Sequence, residues 1–574
     1  MGGKSSKKKK SYNLSSPSGA ETSGGSQMSP AAAAAMGQAS NASSSTMPSD
    51  PDTVEAVVCS VNDLKSGQMR EVEVEGKKVI LVREKDEFYA VGSKCTHYGA
   101  PLSKGVYCSG HLRCPWHGAC FNVKTGDIED FPGLDSLPKF QTKVEQNSVK
   151  VIASRAVLAK TKWTKSMCQM NAEEKGKEGG VVIVGGGGAA VSCAESLRQQ
   201  GYSGRIRILS QEPTLPYDRP KISKALDIEV ENIYMRTPEF YQEHDIEVLT
   251  GRRVVSVDPE AKSVRTLDGT VYNYEQLVLA TGGTPRQLTC EGADLKNVTY
   301  LRTPADGKHI AKFAEGRQVV VIGSSFIGME IAASLRPKNQ EGAQVTLIGR
   351  SDVPLVMFGE NIGRGLLKLH ESNGVRFRMN SGVKRLKGNQ KGELTEVVLT
   401  DDTTIPADLC VVGIGVVPAT NFLKGCGLDI DDRGYIPVDE TMKTNLPNVY
   451  ACGDIVTFPL SSFGGKRCNV QHWQMALKHG SIAAKAIAGN SQPIKTVPFF
   501  WSVMFGKSIR YTGYGAGYDN IIMKGSADEL KFVAYYMKSG FLVAVATLAK
   551  DPVAAQIAEV FRLGHKIAES DIKK

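Results

Sequence analysis

The chain has 574 residues, 41% of them hydrophobic, with 59 glycines and 12 cysteines, a balance that describes a multidomain globular α/β protein. Its net charge of +10 is no nucleic-acid signature: five lysines lie within the first ten residues, and elsewhere basic side chains are interspersed with acids. Cysteines such as Cys193, Cys410 and Cys452 fall in apolar runs, which suits buried thiols in a reducing compartment and argues against a disulfide scaffold. No secretory signal peptide is visible, and no apolar stretch approaches the ~18 residues needed to cross a bilayer.

Residues 1–52 are rich in Ser, Gly and Ala and nearly devoid of large apolar side chains, the composition of a disordered tail. Its start, Met1-Gly2-Gly3-Lys4-Ser5-Ser6, matches the N-myristoylation pattern, so Gly2 is a lipidation candidate. Lys7 to Lys10 follow at once, and one acyl chain beside a polybasic run is the pair of signals that stable anchoring needs. Residues 2–10 thus predict contact with an anionic membrane surface, with the cytoplasmic face of a membrane or the cytosol as location; the alternative is a solubilising tail.

Residues 53–154 contain Cys95-Thr-His97 and, after sixteen intervening residues, Cys114-Pro-Trp-His117. Each half offers one Cys and one His, so two loops can give two thiolates to one iron and two imidazoles to another, the ligand set of a Rieske [2Fe–2S] centre. A structural zinc would more often pair like with like, as C-x₂₋₄-C with H-x₃₋₅-H, and stays open as the alternative. Gly99, Pro101, Gly105 and Gly118 suit tight loops around a buried cluster. The stretch from Val54 to Ser154 resembles the Rieske ferredoxins. Ala100 and Trp116 stand where the respiratory members of that family carry two further cysteines, so the resemblance implies the soluble branch.

A lysine-rich linker, 155–178, is long enough to let this all-β domain swing. Beyond it, Val181–Val184 is an apolar run of the kind a buried parallel strand uses. It leads into Gly185-Gly186-Gly187-Gly188-Ala189-Ala190 and a helix-like stretch, with Glu212 about 22 residues on. That is the dinucleotide fingerprint: a tight turn at Gly185, close pyrophosphate approach at Gly187, a small Ala190 that lets the helix pack on the strand, and an acid for ribose hydroxyls. A second copy runs Val319-Val320-Val321-Ile322 into Gly323-Ser-Ser325-Phe-Ile-Gly328. Here Ser325 replaces the middle glycine, and Arg350 stands where an acid would select NADH. An arginine there can meet a 2′-phosphate, which leans towards NADPH; the alternative is a solvent-facing side chain.

Residues 179 to about 560 resemble the flavoprotein pyridine-nucleotide reductases, in particular oxygenase ferredoxin reductases and the apoptosis-inducing-factor family. The motifs that carry the resemblance are Leu215–Lys224, Ala280-Thr281-Gly282, Thr444–Asp454, Gln471–Ala476 and Pro498–Ser502. It implies FAD contacts by Arg219, Lys224, the Val255 backbone, Thr281, Gly282, Asp454 (to the ribityl chain) and the helix beginning near Trp473. Trp501 is implied near the isoalloxazine, with an ordinary core tryptophan as its alternative, and Glu330 near the nicotinamide. No C-x₄-C or C-x-x-C pair occurs between 179 and 574, so thiol–disulfide chemistry is not expected.

The expected organisation is an all-β Rieske domain followed by a Rossmann-like FAD/NAD reductase with an α+β C-terminal domain. The FAD-binding domain takes 179–303 and 435–491, the NAD(P)H-binding domain 304–434, and the C-terminal domain 492–574. The expected activity is NAD(P)H oxidation through FAD and the protein's own cluster to an unidentified one-electron acceptor. The family resemblance further implies a mitochondrial setting and a link to apoptosis. Two rivals remain: a membrane-tethered redox sensor with little turnover, and the reductase component of an oxygenase.

Overall fold

The strand Lys77–Glu84 contains four consecutive apolar residues, Val79 to Val82, all fully buried. Successive side chains face opposite sides of a strand, so such a run needs cover on both faces. Val79 and Leu81 pack with Val74, Phe88, Phe140 and Val149. Ile80 and Val82 pack with Leu102, Leu112, Phe121 and the two cysteines Cys95 and Cys114. The first group lies against a six-stranded antiparallel sheet, in the order Thr53–Ser60, Ser148–Ser154, Lys139–Glu145, Glu87–Gly92, Lys77–Glu84, Met69–Val74. The second lies beneath a four-stranded sheet of short strands between Val106 and Asp130, which carries the Cys114–His117 loop. This is a computed structural model; it describes residues 52–336 and 342–573, and the Gly2 lipidation candidate with the rest of the tail lies outside the described residues.

Val181–Val184 is the middle strand of a five-stranded parallel sheet, in the order Ile246–Leu249, Ile206–Leu209, Val181–Val184, Gln276–Leu279, Val449–Ala451. Flanked by strands on both edges and packed on both faces, its four residues are buried without alternation. The last strand of this sheet comes from beyond residue 440, so the second dinucleotide unit is an insertion in the chain of the first. That insertion has its own parallel sheet, in the order Val298–Tyr300, Leu409–Val412, Gln318–Ile322, Gln344–Ile348, Arg376–Arg378. The C-terminal segment forms a five-stranded antiparallel sheet from Phe499 to Leu548 and a helix, Val553–Arg562. Among the described residues no helix is long and apolar enough to cross a membrane.

The β-rich N-terminal domain is docked on the reductase by charges withdrawn from water. Arg113, next to Cys114 and wholly buried, donates to Glu559 Oε1 at 2.5 Å, to Asp130 Oδ2 at 3.2 Å and to the Gly118 carbonyl at 2.8 Å. Asp130 also meets Lys478 Nζ at 3.3 Å and accepts from Thr496 at 3.0 Å. Burial alone would raise the Asp130 carboxyl, but Lys478 and Arg113 outweigh it and pull it down to about 2. Arg236 bridges Asp135 of the N-terminal domain and Glu195 of the reductase, both at 2.8 Å. The linker is no loose tether: Trp163 pairs with Ser136 through two backbone hydrogen bonds, and the Cys168 and Asn171 amides donate to the Arg198 and Ser203 carbonyls. The swing expected from its length and composition therefore gives way to a pinned connection, because its backbone groups find partners on both sides.

Candidate functional site

The two ligand loops are the same turn made twice. In each, the Cys amide donates to the carbonyl of an alanine five residues on: Cys95 to Ala100 and Cys114 to Ala119, both at 2.8 Å. In each, a glycine beyond the ligands, Gly99 or Gly118, sits at φ 75°, a conformation that only glycine adopts without cost. A Cβ at Gly118 would also fall 2.4 Å from the Phe499 ring. The loops bring His97 Nδ1 to 3.2 Å from His117 Nδ1, while the buried thiols of Cys95 and Cys114 lie beside each other. Two donors for each of two metals fit an iron pair better than one tetrahedral zinc. Burial lowers both imidazoles, His97 to about 3 and His117 to about 2, so both are neutral and have lone pairs to give.

The first dinucleotide turn has the geometry its glycines require. Gly185 lies at φ 124° with no room for a Cβ, which would be 2.2 Å from the Ala280 carbonyl, and Gly186 abuts the Ser210 hydroxyl. Ala190 is fully buried in the first turn of the helix Gly188–Gln199. Gly187 is different: a Cβ there meets nothing within 4 Å and would project into open space at the head of the helix. That space is continuous with a cavity walled by Gly188, Ala189, Arg219, Lys224, Gly282, Asp454, Trp473 and Trp501. His472, also on its wall, has a fully buried Nδ1 with no hydrogen-bond partner, a group that a bound polar ring would satisfy. The cradle therefore fits FAD, with the pyrophosphate over the helix N-terminus. The Gly187→Ala variant is expected to fold normally yet lose most of its flavin, because a side chain there meets the pyrophosphate approach; protein-normalised flavin absorbance measures it, and full flavin content would refute the assignment.

Other residues named from the sequence stand farther from this wall. Glu212 accepts from the Tyr217 hydroxyl and from Arg219, both at 2.7 Å. Thr281 donates to the Ala419 carbonyl at 2.9 Å, and Val255 lies in the strand Val254–Asp258. None of these three lines the cavity. Two half-buried residues that local sequence did not single out do matter. Arg302, pushed down to about 10 first by burial and then by the neighbouring Arg219, lines the cavity near Asp454. Phe500 lines it too, packed on the His472 ring.

The second turn repeats the first. Gly323 lies at φ 115°, a Cβ there falling 2.3 Å from the Gly413 carbonyl, and Gly328 approaches the Gly323 carbonyl so closely that a Cβ would be 1.9 Å away. Ser325 has φ −95° and ψ −169°, almost the backbone of Gly187 at −94° and −174°, so the serine costs no strain and its side chain faces the same cavity. Glu330 also lines the cavity, but its oxygens are engaged: Oε2 accepts from Lys224 at 2.8 Å and from Ser223 at 2.5 Å, and Oε1 from Ser502 at 2.6 Å. Its direct effect is to hold the Lys224 ammonium, making it a positioning residue. Arg350 follows the strand Gln344–Ile348 and is exposed.

One side chain touches both halves of the site. Trp501 lines the dinucleotide cavity, and its ring centroid lies 4.6 Å from that of His117, 5.8 Å from that of His97 and 5.0 Å from that of His472. Tyr98 stacks on His97 with centroids 3.6 Å apart and donates to Asp218, beside Arg219, at 2.5 Å. Arg510 donates to the Trp116 carbonyl at 2.9 Å.

Comparison with known proteins agrees with this geometry. Residues 54–141 match the Rieske [2Fe-2S] domain, 179–480 pyridine nucleotide-disulphide oxidoreductase and 499–573 the reductase C-terminal domain. Apoptosis-inducing factor 3 of Homo sapiens is 47% identical over 92% of this chain and 87% of its own length. Rubredoxin-NAD(+) reductase of Pseudomonas putida is 34% identical over 63% of this chain and 93% of its own. The crystal structure of a covalent putidaredoxin reductase–putidaredoxin complex superposes with a TM-score of 0.63 at 30% identity, covering 67% of this chain and 93% of that one. The chain belongs to the pyridine nucleotide-disulphide oxidoreductases, within the apoptosis-inducing-factor family, as an oxidoreductase that uses FAD, NAD(P)H and a Rieske [2Fe–2S] centre.

Proposed function

We propose that this chain carries electrons from NAD(P)H, within one molecule, to the metal centre held by Cys95, His97, Cys114 and His117, and from there to a one-electron acceptor. The observation that carries the reading is Trp501, one ring lining the dinucleotide cavity while touching both histidines. Bound FAD supplies the conversion of a hydride's electron pair into single electrons, and the iron–sulfur centre takes them one at a time. The residues do the rest. The turn at Gly323, Ser325 and Gly328 receives the pyrophosphate of NAD(P)H on a helix N-terminus. Glu330 holds Lys224 at the cavity wall, and Asp454 offers a carboxylate to hydroxyl groups. Trp501, His472 and Phe500 exclude water, and burial keeps His472 neutral, lowered to about 3. The buried ion pairs of Arg113 and Arg236 keep the histidines against Trp501 without a diffusional encounter.

Anaerobic stopped-flow mixing with NADPH is expected to bleach the flavin before the cluster's visible bands change; simultaneous change, or none at the cluster, rejects the order. In Trp501→Leu the second phase should slow at least about tenfold, equivalent to ~1.4 kcal/mol on its barrier, with the first phase retained. NADPH preference is part of the same reading, carried by Arg350 where an acid would favour NADH. Arg350→Asp is expected to raise KM for NADPH about tenfold, a loss of ~1.4 kcal/mol of uniform binding, and to leave KM for NADH within a factor of about two. Equal effects on both would remove Arg350 from the site.

The reading extends to the membrane and to cell death. Anchoring through Gly2 and the lysines of residues 4–10 predicts that Gly2→Ala moves the protein from membrane to soluble fractions, whether the membrane is mitochondrial or another. The apoptotic role carried in the relatives' name would depend on turnover if a His117 variant abolished it, and on signalling alone if that variant retained it.

A further inference from the structure

Beside His117, and sharing Pro220, Lys224 and Trp501 with the dinucleotide wall, lies a second cavity of about 520 Å³. Tyr98 and Trp116 of the ligand loops, Trp501, Lys221 and Arg510 line it together with His117. We propose that this cleft binds the terminal acceptor, and that the acceptor is a small aromatic anion and not a protein. The inference rests on the electron path proposed above.

Access is the first argument. His117 is only 7% exposed, its loop is bolted to Arg510, and His97 is covered by the Tyr98 ring. With the domains docked, the imidazoles offer a protein partner no face, whereas the cleft reaches His117 directly. Its volume falls within the ~300–1,000 Å³ that small-molecule sites occupy. Chemistry is the second argument. Trp116 and Tyr98, 36% and 38% exposed, leave aromatic surface in water at the cleft; the Tyr98 ring already stacks on His97 and has Lys221 Nζ 5.1 Å from its centroid, so Trp116 offers the face that a flat ligand would cover. Charge is the third. Lys221, Lys224 and Arg510 reach the wall, while their carboxylate partners Asp218, Glu330 and Asp551 do not line it. The cleft therefore presents cations and aromatic rings, a surface for a conjugated ring bearing carbonyl or nitro oxygens and a carboxylate or sulfonate.

The electrons balance. NAD(P)H yields two electrons and one proton and becomes NAD(P)⁺, and two acceptor molecules each take one electron and gain one negative charge. No bond to the acceptor forms, the proton goes to solvent, and Lys221 and Arg510 offset the charge that develops.

The test uses full-length holoenzyme and a redox-inert probe, naphthalene-2-sulfonate, with uncharged 2-naphthylmethanol for comparison. The sulfonate should quench tryptophan fluorescence saturably and bind more tightly than the alcohol. Ser508→Trp, which fills the cleft, should weaken it at least about tenfold, and Lys221→Gln about fivefold, shifts read from Kd. If Ser508→Trp loses its flavin and so fails to fold, Lys221→Gln decides. No saturable binding, or wild-type affinity in the folded variants, overturns the proposal. Full-rate reduction of a protein acceptor by probe-saturated enzyme also overturns it. NADPH reduction of the cluster without any acceptor is measured in parallel: its failure rejects the electron path, whereas its success with no probe binding rejects the cleft alone.

Discussion

Replacing Glu559 by alanine is expected to destabilise the protein by about 3 kcal/mol and to slow reduction of the cluster while leaving reduction of the flavin by NADPH intact. Glu559 lies in the C-terminal helix, yet it is the nearest carboxylate to Arg113, wholly buried one residue before a cluster ligand. Its other oxygen holds Arg562, which itself donates to the Cys108 carbonyl of the N-terminal domain. Without Glu559 the guanidinium keeps the Gly118 carbonyl and a single carboxylate, Asp130, already shared with Lys478. A buried charge with too little compensation costs several kcal/mol, more than the intact pair contributes over an apolar pair of similar shape. Denaturant titration measures the first effect and stopped-flow absorbance the second. Glu559→Gln retains the shape and one hydrogen bond and should fall between wild type and Glu559→Ala. Wild-type stability in the alanine variant would show that Asp130 suffices, and the clasp would lose its central member.

Two variants of His117 should separate the cluster from the flavin. His117→Ala is expected to abolish the cluster's EPR signal and acceptor reduction, with flavin bleaching by NADPH unchanged, since the dinucleotide turns lie in separate sheets. His117→Cys should instead keep iron but lower its reduction potential by on the order of 100 mV or more, because thiolate in place of neutral imidazole moves the site towards the range of all-cysteine clusters near −400 mV. Potentiometric titration reads the shift. An unchanged potential in His117→Cys, or iron retained at full occupancy in His117→Ala, would mean that His117 is not a ligand.

What could be read along the chain, and what could not, divides by range. The ligand loops and both glycine turns are local: the residues that need a tight backbone stand within six positions of one another, so spacing alone carried the chemistry. Ser325 stands where the fingerprint has a glycine, yet its φ of −95° is ordinary for any L-residue, a fact that composition does not reveal. The contacts that assemble the halves are remote. Arg113 meets Glu559 across 446 positions, Tyr98 meets Asp218 across 120, and Lys224 meets Glu330 across 106. No periodicity announces such pairs, and each end reads alone as a solvated charge or a stray aromatic. Glu212 shows the converse: its spacing marked it for a ribose, yet its oxygens also serve Tyr217 and Arg219, neighbours supplied by the loop that follows. The linker misled for a similar reason, since lysine content says nothing about whether backbone amides will find carbonyls on a neighbouring surface.

The Arg113 clasp also sets how the two redox halves respond to surroundings. Systems that keep ferredoxin and reductase as separate proteins depend on charged faces finding each other through solution, and both dilution and added salt weaken that search. Here the mating charges are sealed inside a single polypeptide, beyond the reach of mobile ions. On the electron path proposed above, delivery per molecule would be indifferent to how scarce the protein is and to how concentrated the surrounding electrolyte.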